Sequence, residues 1–178
     1  MPGSRRLSQR ISEGDGIAII ARVRDVESAR AAEADGAKAL AVDGDVVGIR
    51  ESTTLPLLWV GSGRPGDVDA VAVRPGSDSG GDVEAVLHVR DEDELEDALE
   101  QHDPEIFLLA ASSDGDEDDP LESVLELLPD VPAGKLAIAD VEVVTRDEVV
   151  ALERAGFDAV LAPAGRIGAL VGAAPPDV

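Results

Sequence analysis

The chain has no cysteine, and among its 178 residues it carries one tryptophan, two phenylalanines and one methionine. Without cysteine, disulfides and thiolate metal sites are excluded. With aromatics at 2%, the core has to be built from alanine, valine, leucine and isoleucine, which suits strands buried on both faces. Lysine is almost missing; Lys38 and Lys135 are the only two. No apolar run approaches the ~18 residues of a membrane span. Arg5 and Arg6 are not followed by the apolar segment of a secretory signal. The expectation is a soluble, cytoplasmic protein that uses no cofactor and no metal.

What the chain has in excess is negative charge. With 38 acidic against 15 basic residues the formal net charge is −23. Such a surface repels nucleic acid and anionic membranes, so neither is expected as a partner. A small phosphorylated substrate is compatible with it only where a local basic site offsets the field. The bland account of the acidity is a solvated surface that keeps a monomer soluble, as salt adaptation or a GC-rich genome would produce.

Apolar strand-like runs alternate with helix-forming segments along the whole length. Strands are expected at 17–23, 37–42, 55–60, 68–73, 83–89, 105–111, 135–139 and 157–162, with helices over 26–34, 45–52, 91–99, 121–128, 146–155 and 167–173. Alternation with short connections implies parallel strands joined by helical crossovers. Eight strands favour a (βα)8 TIM barrel over an open doubly wound sheet, which normally has five or six. The barrel is unusually short. Crossover helices are missing or reduced around strands three to five, where 61–66 and 75–81 read as turns rich in glycine, proline and serine. Residues 1–15 form a partly helical lead-in, 16–174 the barrel domain and 175–178 a tail.

The segments from Leu87 to Leu95, Leu127 to Pro132, Ile138 to Asp140 and Thr145 to Leu161 resemble the C-terminal half of indole-3-glycerol phosphate synthase. The first half is similar more faintly, through 17–20, 32–42 and 55–58. The resemblance implies a TIM barrel and a carbon–carbon lyase of tryptophan biosynthesis. It also implies where that family's catalytic groups should stand. The glutamate and lysine of the first strand fall on Ile19 and Ala21, and the general-acid lysine of the third on Val60. The fifth-strand glutamate falls on His88, the paired asparagines after strand six on Ala110 and Ala111, and Glu-Ser-Gly of strand seven on Asp140, Val141 and Glu142. Only Asp140 keeps its chemical type. Losing several catalytic groups together removes most of a reaction's acceleration, so weak or absent synthase activity is expected. A surviving synthase would need Arg22, Arg64 or Arg166 as its cationic acid.

Two candidates for proton chemistry remain, Asp140 and His88. A histidine titrates near neutrality, and alternation sets His88 on the face of Val86, which the resemblance to the synthase implies is turned into the barrel. A carboxylate ending an apolar strand is costly unless paired, and Arg74, Arg90 or Arg166 is expected to pair with Asp140. Gly165 and Arg166 are the candidate phosphate site, with backbone donors and a guanidinium side by side. His102 reads as a solvated helix end and Trp59 as core. The glycine-rich 61–66 loop lacks the Gly-Lys-Ser/Thr ending of a P-loop. Two further readings stand beside the synthase: a non-catalytic scaffold or partner-binding barrel, and a different phosphate-ligand lyase using His88 and Asp140.

Overall fold

In the computed structural model, which describes residues 6–13, 17–44, 46–61, 66–74, 83–101, 105–110, 120–141, 145–163, 165 and 167, eight parallel strands close into one barrel in sequence order. The strands are β1 (Ala18–Val23), β2 (Ala39–Val42), β3 (Leu57–Trp59), β4 (Ala70–Val73), β5 (Glu84–Val89), β6 (Ile106–Ala110), β7 (Leu136–Asp140) and β8 (Ala159–Pro163). Closure is made by β1 and β8, which pair from Ala18 with Ala159 to Arg22 with Pro163. Helices α1 (Arg6–Glu13), α2 (Val26–Asp35), α3 (Val46–Ser52), α4 (Glu92–Gln101), α5 (Pro120–Leu127) and α6 (Arg146–Ala155) accompany them. The expected TIM barrel is therefore what the chain forms. A last helix over 167–173 lies mostly outside the described residues, as does the acidic 112–119 loop.

Alternation divides each strand between two cores. Ile20, Leu58, Val86, Ile106, Leu108 and Ile138 belong to the buried cluster that fills the barrel. Their chain neighbours, among them Ile19, Ala21, Leu57, Leu87 and Phe107, belong to a second cluster with the inner faces of the helices. Side chains one residue apart point to opposite faces. The lead-in contributes to the inner cluster: Leu7 and Ile11 of α1 are buried with it, and the Ser8 amide donates to Glu84 at 3.1 Å.

Two αβ turns show why the sequence folds this way. Asp25 caps α2 and Thr145 caps α6, each in a reciprocal box with the residue three positions on, Ser28 and Glu148. Both helices end on a glycine in the left-handed region, Gly36 at φ 108° and Gly156 at φ 117°, where a side chain would be strained. The next residue, Ala37 or Phe157, donates back into the helix and is buried, which starts the following strand on its correct face.

Between β3 and β4 the crossover is replaced by a clip. Asp69, 4% exposed, accepts the Leu57 amide at 2.8 Å and the Arg50 guanidinium at 2.9 Å. Arg50 also donates to the Asp67 carbonyl at 3.2 Å. Charge-assisted bonds from α3 thus tie down the strand start that a helix would otherwise cover. No helix occurs among the described residues of this connection or of the one from β4 to β5, as the short loops imply.

Candidate active site

Parallel strands in a closed barrel all end at one mouth, and inward positions at those ends converge there. The parity that puts Ile20, Ala72, Val86 and Ile138 inside also turns Arg22, Arg74, His88 and Asp140 toward the mouth. These four side chains line one cavity of about 420 Å³, floored by Val60, Ala72 and Leu108. A second cavity of about 500 Å³ opens beside it, lined by Arg24, Asp25, Ser28, Ala41, Asp43 and Pro163 among others. Arg22 and Val60 belong to both and form the wall between them. Three arginines (22, 24 and 74) face three aspartates (25, 43 and 140) across the two cavities. Among the described residues the charges lining the mouth thus offset one another, in a chain of net charge −23.

Asp140 is the hub. Its Oδ1 is bonded by the Arg22 guanidinium, and its Oδ2 lies 4.0 Å from His88 Nε2. The expected partners Arg74 and Arg90 do not take this place. Arg90 bonds Glu94 at 3.0 Å and Arg74 approaches the same carboxylate at 3.8 Å, because both sit on the α4 side of the mouth. Arg166 lies outside the described residues. The pairing with Arg22 follows from closure: β1 joins β8, and β8 joins β7, so the ends of β1 and β7 are two strands apart.

His88 Nε2 is buried and has no hydrogen-bond partner among the described residues. Burial pushes the His88 pKa below its ordinary value; the Asp140 charge opposes this, Arg74 adds to it, Glu94 opposes it and Arg90 adds to it. The imidazole is therefore held neutral at pH 7, with an unsatisfied ring nitrogen four ångströms from a carboxylate. That arrangement can accept a proton if either side chain moves by about an ångström. Trp59 is in the outer core at 6% exposure, and Gly165 is exposed beyond β8 and lines neither cavity. Among the described residues no group of three or more histidines and carboxylates could hold a metal ion, and no helix is long and apolar enough to cross a membrane.

The sequence reading missed Arg22 as the partner of Asp140. The signal was present, since Arg22 shares the parity of Ile20 at a strand end. It was masked because the resemblance to the synthase put the first-strand site on Ile19 and Ala21. Both of those side chains pack against the helices. A slip of one residue exchanges the two faces of a strand.

No protein-family model and no curated protein matches the chain. Solved structures do. The N-acetylmannosamine-6-phosphate 2-epimerase from Clostridium perfringens superimposes with a TM-score of 0.69 at 15% identity, over 85% of this chain and 88% of that one. Thiamine phosphate pyrophosphorylase from Pyrococcus furiosus superimposes with a TM-score of 0.59 at 18% identity, over 86% of this chain and 88% of that one. At such identities the likeness is one of fold. These findings overturn the assignment to indole-3-glycerol phosphate synthase, and tryptophan biosynthesis goes with it. The resembling stretch from Thr145 to Leu161 is a capped helix, a left-handed glycine, a buried apolar residue and a strand, a pattern that residues 25–42 of the same barrel repeat. It carried the barrel and not a family.

Proposed function

We propose that the mouth of this barrel binds a small phosphorylated compound and exchanges a proton with it through His88 and Asp140. The observation that carries the reading is the convergence of Arg22, Arg74, His88 and Asp140 on one open cavity of about 420 Å³, a size suited to a small metabolite. Two guanidiniums offer charge-assisted bonds to a phosphate where the rest of the surface would repel it. The two solved structures described above are named for phosphate compounds, which agrees with this class of ligand. Gly165 and Arg166, which follow β8, are proposed as further phosphate donors.

In the chemistry that fits, His88 and Asp140 take a proton from carbon beside a carbonyl. The C–H electron pair moves into an enolate whose oxygen a guanidinium can stabilise, and the proton is returned or the enolate expels a leaving group. This is isomerase or lyase chemistry and needs only groups the chain supplies. A scaffold or partner-binding role has less support, because Val47 and Leu99 are the only exposed large apolar side chains among the described residues.

The test is solvent exchange. Phosphorylated sugars of three to six carbons are incubated with the protein in D₂O, and loss of the carbon-bound proton is followed by NMR. Exchange with at least one of them, lost in His88→Gln and in Asp140→Asn, is the expected result. Absence of both exchange and binding across the set, with folded protein, would end this reading.

A further inference from the structure

The Asp140 carboxylate is divided between two claimants. Arg22 holds one oxygen, and the other stops 4.0 Å short of His88 Nε2, a nitrogen that is buried and bonded to nothing described. The holder is also the most exposed of the three. The Arg22 side chain is 45% exposed, against 22% for Asp140 and 25% for His88, and it stands on the wall between two cavities with room on either side.

We propose that Arg22 is a ligand-sensing positioning residue: a phosphate that engages its guanidinium draws it off Asp140, and the freed carboxylate closes onto His88. The inference rests on the phosphate reading above and adds to it a reason for the site to stay idle until ligand arrives. With Arg22 in place, Asp140 is shared with a guanidinium and stops beyond hydrogen-bond reach of His88, so the pair is a weaker proton acceptor. With Arg22 on the phosphate, Asp140 faces His88 alone. The pair is then the better proton acceptor, and the proton it takes, from solvent or from the carbon of the bound compound, is held on the imidazole and hydrogen-bonded to the carboxylate. When the proton comes from solvent, no bond besides that N–H is made, and binding of the anion is coupled to uptake of a proton.

The charges around His88 bear on the direction. Asp140 on β7 and Glu94 on α4 favour the imidazolium, whereas Arg74 beyond β4 and Arg90 beyond β5 disfavour it. Arg22 on β1 acts on His88 through its bond to Asp140. Releasing one carboxylate to within hydrogen-bond reach raises the proton affinity of a histidine by about tenfold or more.

The chain has two histidines, so the imidazole C–H resonances can be followed individually by NMR, with His102→Gln assigning them. Inorganic phosphate is the probe. In the wild-type chain, saturating phosphate raises the His88 titration midpoint by about one pH unit. In Arg22→Gln the midpoint is raised by a similar amount without phosphate, and phosphate adds little. In Arg22→Gln combined with Asp140→Asn the rise disappears, because the carboxylate that carried it is gone. Arg22→Lys, a weaker holder, gives an intermediate midpoint and serves if the glutamine variant folds poorly.

A midpoint in Arg22→Gln equal to that of the ligand-free wild type overturns the proposal. So does a rise that persists in the double variant, since Arg22 would then act by charge alone. If Arg22→Gln shifts His88 but phosphate leaves the wild-type chain unchanged, the Arg22 restraint stands and the phosphate reading fails. The two inferences are therefore separately testable.

Discussion

Replacing Asp69 by alanine should cost more stability than any other single carboxylate removal in the described part of this highly acidic chain. Asp69 is 4% exposed and satisfies two donors at once, the Leu57 amide at 2.8 Å and Arg50 Nη2 at 2.9 Å. Deletion leaves a buried backbone N–H unpaired, worth about 1–3 kcal/mol. It also leaves the Arg50 guanidinium, with its side chain 19% exposed, without its main counter-charge. Breaking one partner out of a buried pair typically costs about 3–5 kcal/mol. Arg50 keeps the Asp67 carbonyl at 3.2 Å and the Asp67 carboxylate at 3.5 Å, so the low end applies. About 3 kcal/mol is expected, a fall in Tm of roughly 6–12 °C for a chain of this length. Asp69→Asn keeps an acceptor for Leu57 and should lose about half as much. Chemical unfolding followed by circular dichroism measures the difference. Adding Arg50→Met to Asp69→Ala should recover part of the loss, since it removes the stranded charge. A cost below about 1 kcal/mol for Asp69→Ala would refute the clip as the substitute for the missing crossover.

Two other substitutions test the structure from different directions. Asp158 is half-buried and accepts the Ala137 amide at 2.9 Å, yet burial raises its pKa above the ordinary aspartate value despite that bond. A carboxyl whose folded pKa is raised gives stability that is complete below its unfolded pKa and declines as pH rises through the folded one. Asp158→Asn, which keeps an acceptor, should therefore be as stable as the wild type or more so at pH 7, with the advantage shrinking toward pH 3 in urea titrations; a clear loss at pH 7 would contradict the sign. At Gly61 an added methyl would sit 2.9 Å from the Trp59 ring and 3.0 Å from the Asp43 backbone. Gly61→Ala should cost about 1–3 kcal/mol by overpacking and shift the emission of the single tryptophan, while an unchanged spectrum and stability would show that the ring has room to move.

Much of the barrel was legible in the residues because its determinants are local. Runs such as Ile106–Ala110 and Ala159–Ala162 are apolar on both faces, as strands inside a shell of helices must be. Caps at Asp25 and Thr145 and stops at Gly36 and Gly156 mark helix ends without reference to anything distant. The same locality misled the family assignment, since a capped helix leading into a buried strand belongs to the architecture in general. His88 and Asp140 were visible as polar residues at strand ends, and the face of His88 followed from alternation.

Arg22 became part of the site only through closure. The bond between Arg22 and Asp140 spans 118 positions in the chain and exists because β8, paired with both, sets the ends of β1 and β7 two strands apart. The Asp69 clip joins residues of α3, β3 and the start of β4 that lie within 19 positions of one another, but its cost and its strength depend on burial that the sheet imposes. Sequence by itself determined which segments are strand and helix, which faces are apolar and that the surface is strongly anionic, because propensity, periodicity and charge act over a few residues. Which charges neutralise one another, which nitrogen is left unsatisfied and which side chains share a cavity were decided by tertiary structure, because electrostatics and desolvation depend on distances that only a closed barrel sets.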